Sequence, residues 1–156
     1  MKNYYYLIIY MKYFKITNID SAEHFNNNIA GNKAIVKFYA PWCGHCKNLR
    51  PKWNNACNRN NINVEKEYYD DGNDDSFILA EASDQGIPYM KSYNDVQAFP
   101  TILYLEDGKK KDTYPGDHDE EELYKWMNTK MKTKRGGGKK RGGKLEISNE
   151  IKEGKF

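Results

Sequence analysis

The stretch Phe38-Tyr39-Ala40-Pro41-Trp42-Cys43-Gly44-His45-Cys46-Lys47 places two cysteines three residues apart, after an apolar run and at the start of a predicted helix. A helix start presents unpaired backbone N–H groups and the positive end of the helix dipole. These features favour the thiolate of Cys43, which becomes a nucleophile near neutral pH. Cys46 lies one turn further along the same face, close enough for a disulfide with Cys43. The pair is therefore suited to disulfide exchange, with Cys43 attacking and Cys46 resolving the mixed disulfide.

Two further motifs accompany the cysteine pair. Phe99-Pro100-Thr101 precedes the apolar run 102–105, and Gly108 lies in Glu106-Asp107-Gly108-Lys109, a sequence typical of a hairpin turn. With the Ala-Pro-Trp-Cys-Gly-His-Cys-Lys run, these motifs resemble the catalytic domains of protein disulfide isomerases, in the thioredoxin superfamily. The resemblance covers roughly residues 12 to 132. It implies an α/β thioredoxin fold, with a central mixed sheet of about four to five strands flanked by helices.

The resemblance also implies roles for the residues around the cysteines. Pro100 would be cis, face the cysteines and keep a backbone N–H from competing with the site. The backbone beside it, at Phe99, would hydrogen-bond an extended peptide substrate, with Trp42 and Gly44 bordering the same surface. Trp42 would also shield the site and report on the disulfide by its fluorescence.

His45, between the two cysteines, sets the expected direction of the reaction. Its imidazolium would stabilise the Cys43 thiolate, and a stabilised reduced form makes a stronger oxidant. In the family, the two residues between the cysteines, here Gly44-His45, distinguish isomerase-type sites from reductase-type sites. The reduction potentials of these two types are about −180 mV and about −270 mV. By that analogy the site donates or shuffles disulfides. The alternative is a solvent-facing histidine without electronic effect.

Two positions depart from the family pattern. The residue six before the first cysteine is usually a buried Asp or Glu that relays the proton of the second cysteine, and here it is Lys37. Burial should lower the pKa of Lys37, or its amine should reach water. Lys37 would then either stabilise the Cys46 thiolate as a cation or accept its proton as an amine. Without the carboxylate relay, we expect slower resolution by Cys46 and longer-lived mixed disulfides.

The second departure is His118, which stands where isomerase domains often carry an arginine, two residues after the glycine that corresponds to Gly116. His118 could supply a pH-dependent positive charge to the site, or it could be an exposed histidine at a helix start. Cys57 also has two interpretations. It is either a small buried apolar residue or a regulatory or intermolecular thiol.

The length predicts one domain with appendages. We expect an N-terminal extension over 1–11, a thioredoxin-like domain over 12–133 with an acidic loop insertion at 70–85, and a disordered Gly/Lys/Arg-rich tail over 134–156. The net charge of +3 belongs to the tail, which carries eight Lys/Arg and three Asp/Glu. The tail is suited to weak contact with nucleic acid or another polyanion, and it could equally be a solubilising segment without a partner.

Local patterns place the individual elements of this domain. For the first helix, Asp20 is the expected cap and Glu23 its capping-box partner. Pro51 lies inside the active-site helix. The acidic run at 70–75 lacks the closing glutamate of a calcium loop. The expected strands are 13–17, 34–39, 62–69, 101–105 and 109–114, and the expected helices are 21–29, 43–57, 89–94 and 118–131.

The function expected from these residues is a thiol–disulfide oxidoreductase acting on the cysteines of other proteins. No nucleotide-binding signature is visible, so we expect no cofactor and a separate redox partner protein. One alternative is a redox-slow binding or adaptor module whose basic tail holds the partner. Metal binding by Cys43, His45 and Cys46 is disfavoured, because a structural zinc site needs four ligands.

The compartment is expected from the ends of the sequence and from its composition. The apolar stretch in residues 1–14 is too short for a signal peptide or a membrane span, and the last four residues are not a retention signal. Abundant Asn, Lys and Tyr are typical of an AT-rich genome, such as that of a large DNA virus. We therefore expect no membrane association and a cytoplasmic or virion location, with the endoplasmic reticulum lumen as the alternative.

Overall fold

The computed structural model describes residues 11–65, 77–117 and 119–132. The described residues form five strands and three helices, and a short 3₁₀ turn spans Ile87–Tyr89. In chain order the elements are β1 Met11–Ile16, α1 Ile19–Ile29, β2 Lys33–Tyr39, α2 Gly44–Arg59, β3 Phe77–Ser83, β4 Thr101–Glu106, β5 Lys109–Thr113 and α3 Glu120–Lys132. The predicted α/β architecture with a five-stranded sheet is confirmed.

The strands form one mixed sheet in the order β1-β3-β2-β4-β5. β1 and β2 each pair in parallel with β3, whereas β2 with β4 and β4 with β5 pair antiparallel. β2 is therefore the central strand, and its almost continuous apolar sequence suits a strand that is buried on both faces. The cysteine pair follows directly from the carboxyl end of this strand.

Helices cover both faces of the sheet. On one face, α2 and α3 pack through Trp53, Leu49, Leu123 and Met127 against strand residues that include Ile35. On the other face, α1 packs through Phe25 and its neighbours against the alternate strand residues. Leu123 and Met127 of α3 are therefore core residues.

The first helix begins earlier than predicted. Asn18 is its cap, because its side-chain oxygen accepts a hydrogen bond from the Ser21 backbone N–H at 2.8 Å. The Ser21 hydroxyl in turn accepts from the Asn18 N–H at 3.1 Å, which completes a capping box. The prediction of Asp20 as the cap with Glu23 as its partner was wrong, since Asp20 already lies in the first turn of α1.

The largest error concerns the third strand of the chain. Ile62 and Val64 are buried, but they pack against the core from a loop, and no strand forms over 62–65. The strand is Phe77–Ser83, which lies inside the segment predicted as a loop at 70–85. The acidic run at 70–75 placed the predicted loop over the apolar residues that follow it. Those residues form a strand that is buried on both faces of the sheet.

Two further predictions concern a short helix and a hairpin, and only the hairpin forms as predicted. The short helix predicted at 89–94 is only the 3₁₀ turn Ile87–Tyr89, which contains Pro88 and is capped by Met90. The predicted hairpin is confirmed, and it turns at Asp107 and Gly108 with φ of 55° and 78°. Two successive positive φ values are the signature of the tight turn that favours Asp-Gly.

Several predictions concern residues outside those described. These are the N-terminal extension up to residue 10, the acidic turn at 70–76, His118 and the basic tail at 134–156. None of the helices in the described residues has the length and apolar character needed to cross a bilayer.

Candidate active site

The two motif cysteines lie at the start of α2, as predicted. Cys43 is the helix cap, and its Sγ accepts a hydrogen bond from the backbone N–H of Cys46 at 3.2 Å. Both side chains are largely buried, with 8% of Cys43 and 6% of Cys46 exposed, and both are unpaired thiols. The sulfur of Cys43 therefore takes the place of the capping oxygen, where a negative charge is stabilised by an N–H group and by the helix dipole.

Cys46 is in a different electrostatic environment. Burial and, to a smaller extent, the hydrogen bond to Cys43 raise the pKa of its thiol to about 11, although the Ala40 backbone and the charge of Lys37 act to lower it. Cys46 is therefore held as a thiol at neutral pH. This difference fits the predicted assignment of Cys43 as the attacking residue and Cys46 as the resolving residue.

The Phe99-Pro100 segment faces the cysteines. The peptide bond between Phe99 and Pro100 is cis, as predicted, and the Cys43 thiol donates to the Phe99 carbonyl oxygen at 3.7 Å. Phe99 also packs against the small cluster that contains both cysteines. The structure thus brings the two motifs, which are more than fifty residues apart in sequence, to one site.

Trp42 forms an open border of this site. Its side chain is 70% exposed and meets the Phe99 ring edge-on at 6.0 Å between centroids. Its indole N–H donates to Asp84 at 3.1 Å, so the exposed ring is held in place. Gly44 is also exposed, and no atom lies within 4 Å of the position that a Cβ would occupy there. An exposed aromatic beside a reactive sulfur offers a surface on which a peptide can lie.

The thioredoxin family model matches residues 16–129. The chain belongs to the thioredoxin family. Among curated relatives, protein disulfide-isomerase 1 of Caenorhabditis elegans is 34% identical over 109 residues, which cover 69% of this chain and 20% of the relative. Protein disulfide isomerase-like 1-4 of Arabidopsis thaliana is 32% identical over 110 residues, covering 70% of this chain and 16% of the relative. The chain spans about a fifth of the length of these relatives.

A solved structure gives the same fold. The J-Trx1 fragment of ERdj5 superposes with a TM-score of 0.54 at 20% identity, over 78% of this chain and 50% of that fragment. Together, the thioredoxin domain, the disulfide-isomerase relatives and the adjacent Cys43–Cys46 pair support thiol–disulfide oxidoreductase chemistry over a redox-slow adaptor.

The thioredoxin domain keeps His45 in the first turn of α2, where its side chain is exposed. The predicted electronic effect of His45 on Cys43 stays a prediction. Cys57 is fully buried within the core against α3, and burial raises the pKa of its thiol well above the usual range. This environment fits a small apolar core residue. Within the described ranges, no group of three or more His, Cys, Asp or Glu side chains could hold a metal ion.

Lys37 is buried in this thioredoxin domain, with only 4% of the residue exposed. Its Nζ lies 5.1 Å from the ring centroid of Tyr39 and 5.4 Å from that of Trp53. Burial lowers the pKa of Lys37, as predicted, and the nearby charge of Glu81 opposes that fall. The lysine therefore lies in the core beneath the active-site helix rather than reaching water.

Sequence reasoning missed Glu81, a carboxylate on β3 directly opposite Lys37. The Tyr13 hydroxyl donates to Glu81 Oε1, and the Trp53 indole N–H donates to the Tyr13 hydroxyl at 2.9 Å. Glu81 is the single charged residue in the run Phe77–Ser83, and a lone charge within an apolar strand was the available signal. Position 37 lacks the family's carboxylate, but a carboxylate is present on the neighbouring strand opposite that position.

Proposed function

We propose that this domain exchanges disulfides with cysteines of other proteins, as a disulfide donor or isomerase. The observation that supports this proposal most directly is the cap position of Cys43, whose Sγ accepts the Cys46 N–H. Because the cap stabilises the thiolate, it favours the reduced pair and makes the disulfide form an oxidant.

The substrate would be an extended segment that bears a cysteine or a disulfide. Such a segment would lie on the exposed Trp42 ring and beside the Phe99-Pro100 backbone, with its sulfur next to Cys43. In the reductive direction, the Cys43 thiolate attacks the substrate disulfide, and Cys46 then displaces the substrate from the mixed disulfide. In the oxidative direction, the Cys43–Cys46 disulfide passes to the substrate by the reverse steps.

The domain would need a separate protein to reset its redox state. The reduction potential of the pair also tests the compartment, since a reductase suits a reducing compartment and a disulfide donor suits an oxidising one or a virion. We keep the cytoplasm or a virion as the proposed location, with the endoplasmic reticulum lumen as the alternative.

The experiment that tests the function is the reduction potential of the cysteine pair, measured in glutathione buffers with tryptophan fluorescence. We expect a reversible transition near about −180 mV, whereas a value near about −270 mV would indicate a reductase. Cys43→Ser should abolish the transition, and Cys57→Ala, which removes a cysteine outside the motif, should keep it. If the wild-type domain shows no reversible transition, the proposed function is wrong.

A further inference from the structure

Three charged side chains lie side by side across the sheet beneath α2. Glu81 on β3 is opposite Lys37 on β2 and opposite Lys15 on β1. Side chains at one register position of parallel neighbours project from the same face of the sheet. Leu79, two residues before Glu81, packs with Trp53 of α2, so this face is the one that carries the active-site helix. A carboxylate and a cation are therefore cross-strand neighbours on the sheet face beneath α2, the helix that carries the resolving cysteine.

Lys37 is coupled to a partner on each side. None of the three ion pairs among the described residues involves Lys37. Its charge nevertheless interacts with the carboxylate of Glu81 and with the thiol of Cys46, since Glu81 raises the pKa of Lys37 and Lys37 lowers that of Cys46. The amine lies over the rings of Tyr39 and of Trp53 on α2, at 5.1 and 5.4 Å from their centroids, and it makes no ion pair within the described residues.

Glu81 has one oxygen available to take a proton. Its Oε1 accepts from Tyr13, and its Oε2 has no hydrogen-bond partner among the residues that the structure describes. The side chain is half-buried, so it can also exchange a proton with water. These are the properties needed of a group that receives a proton from the interior and passes it to solvent.

We propose that Glu81, acting through Lys37, is the proton acceptor for Cys46 in the resolving step, so that the relay carboxylate is supplied by β3 while position 37 on β2 holds a lysine. The proposal rests on the proposed disulfide exchange. The Sγ–H proton of Cys46 passes to Lys37 Nζ as the Lys37 ammonium gives a proton to Glu81. The three groups carry no net charge before or after this transfer, which avoids an isolated charge in the core.

The rest of the step follows from this transfer. The Cys46 thiolate attacks Cys43 Sγ, a Cys43–Cys46 bond forms, and the bond from Cys43 to the substrate sulfur breaks. The substrate leaves as a thiolate and takes a proton from water, while Glu81 returns its proton to water. Over the two exchange steps, the cysteine pair is oxidised by two electrons and the substrate disulfide is reduced to two thiols.

Other charged and titratable groups face Lys37 from the packed elements and could alter its pH dependence. On β4 the apolar Ile102 lies opposite Lys37, and the charged Glu106 lies at the far end of the strand, opposite Lys33. The remaining groups are Tyr13 and Lys15 on β1, Tyr39 on β2, and Cys46, Arg50 and Cys57 on α2. The variants that test the relay therefore leave all of these residues unchanged.

The test uses 5,5′-dithiobis(2-nitrobenzoate) and the reduced full chain in a stopped-flow instrument. Attack by Cys43 releases one coloured thiolate, and resolution by Cys46 releases a second, so the two steps are separate signals. Glu81→Gln and Lys37→Met should each slow the second release about 100-fold at neutral pH, the lower range for a lost acid–base group. In both variants, the rate of the second release should also rise about tenfold per pH unit, because hydroxide must then deprotonate Cys46.

The double variant, Lys37→Glu with Glu81→Lys, should recover most of the wild-type rate of the second release. Lys37→Glu alone and Glu81→Lys alone should not recover it. The matched control is Arg59→Glu with Glu121→Arg, which exchanges an exposed ion pair of 2.8 Å between the end of α2 and α3. It should leave the rates of both releases unchanged. Wild-type rates and pH profiles in Glu81→Gln would overturn the relay. Absence of any second release in the wild type would instead count against the proposed function.

Discussion

Tyr13→Phe tests the hydrogen-bonded chain that holds Glu81 beneath the active-site helix. The substitution removes one hydroxyl and keeps the ring, and both Tyr13 and Trp53 are completely buried. The Trp53 indole N–H, now 2.9 Å from the Tyr13 hydroxyl, would be left as a buried donor without an acceptor. Glu81 would lose its phenolic donor at the same time.

The expected cost follows from these two losses. An unsatisfied buried donor costs about 1–3 kcal/mol, and a hydrogen bond to a charged group contributes about 1.5–3 kcal/mol. Water replaces part of the second term, because Glu81 is half-buried. We therefore expect Tyr13→Phe to lower the free energy of unfolding by about 3 kcal/mol, a large part of the roughly 5–15 kcal/mol that stabilises a typical domain.

Urea unfolding followed by circular dichroism measures this loss. With a slope of about 2 kcal/mol per molar urea, the midpoint should fall by about 1.5 M. Tyr104→Phe is the matched control, because Tyr104 is also buried and donates to Glu106 at 2.5 Å, but accepts no hydrogen bond from another described residue. It should cost about 1 kcal/mol. Equal losses in the two variants would refute the reasoning that the Trp53–Tyr13–Glu81 chain acts as a unit.

Three further outcomes are expected. Gly86→Ala should destabilise the domain by about 2 kcal/mol or more, because its Cβ would lie 2.4 Å from the Ile16 carbonyl oxygen, whereas Gly44→Ala has open space and should stabilise α2 by about 0.5–1 kcal/mol in thermal melts. Burial raises the pKa of Cys57 in the folded state, so its contribution to stability is complete below the unfolded pKa of about 9 and is lost above it. The stability difference between wild type and Cys57→Ala should therefore shrink by about 2 kcal/mol between about pH 7.5 and 10.5, and a constant difference would contradict this assignment. Cys46→Ser should accumulate a glutathione adduct on Cys43 that mass spectrometry detects, and an unmodified protein would count against Cys43 as the nucleophile.

The active site was largely predictable from sequence because its determinants are local. The cap position of Cys43 depends on the few residues around it, and these residues set the helix start, the spacing to Cys46 and the exposure of Trp42. The cis bond before Pro100 and its position opposite Cys43 came from the family resemblance. Sequence patterns of this length are informative, since backbone propensities and capping act over one or two turns.

The surroundings of Lys37 were not predictable in the same way, because they depend on strand register. Glu81 is 44 positions along the chain from Lys37 and becomes its neighbour only once β3 is placed at Phe77–Ser83. With the strand expected at 62–69, Glu81 fell within the predicted loop at 70–85 and was not expected to lie beside Lys37. A shift of one residue in register would also have moved Glu81 to the other face of the sheet.

The carboxylate of Glu81 on β3, opposite Lys37, changes how the departure at position 37 is understood. A buried lysine alone would be costly, because burial penalises its charged form. The same lysine beside a carboxylate forms a group without net charge, and the direction in which the two charges are placed matters little to that balance. Position 37 alone indicates a lost relay, whereas the cross-strand pair is consistent with a relay whose carboxylate lies on β3. Measurement of the second thiolate release, with Glu81 and Lys37 changed separately and together, distinguishes these two interpretations.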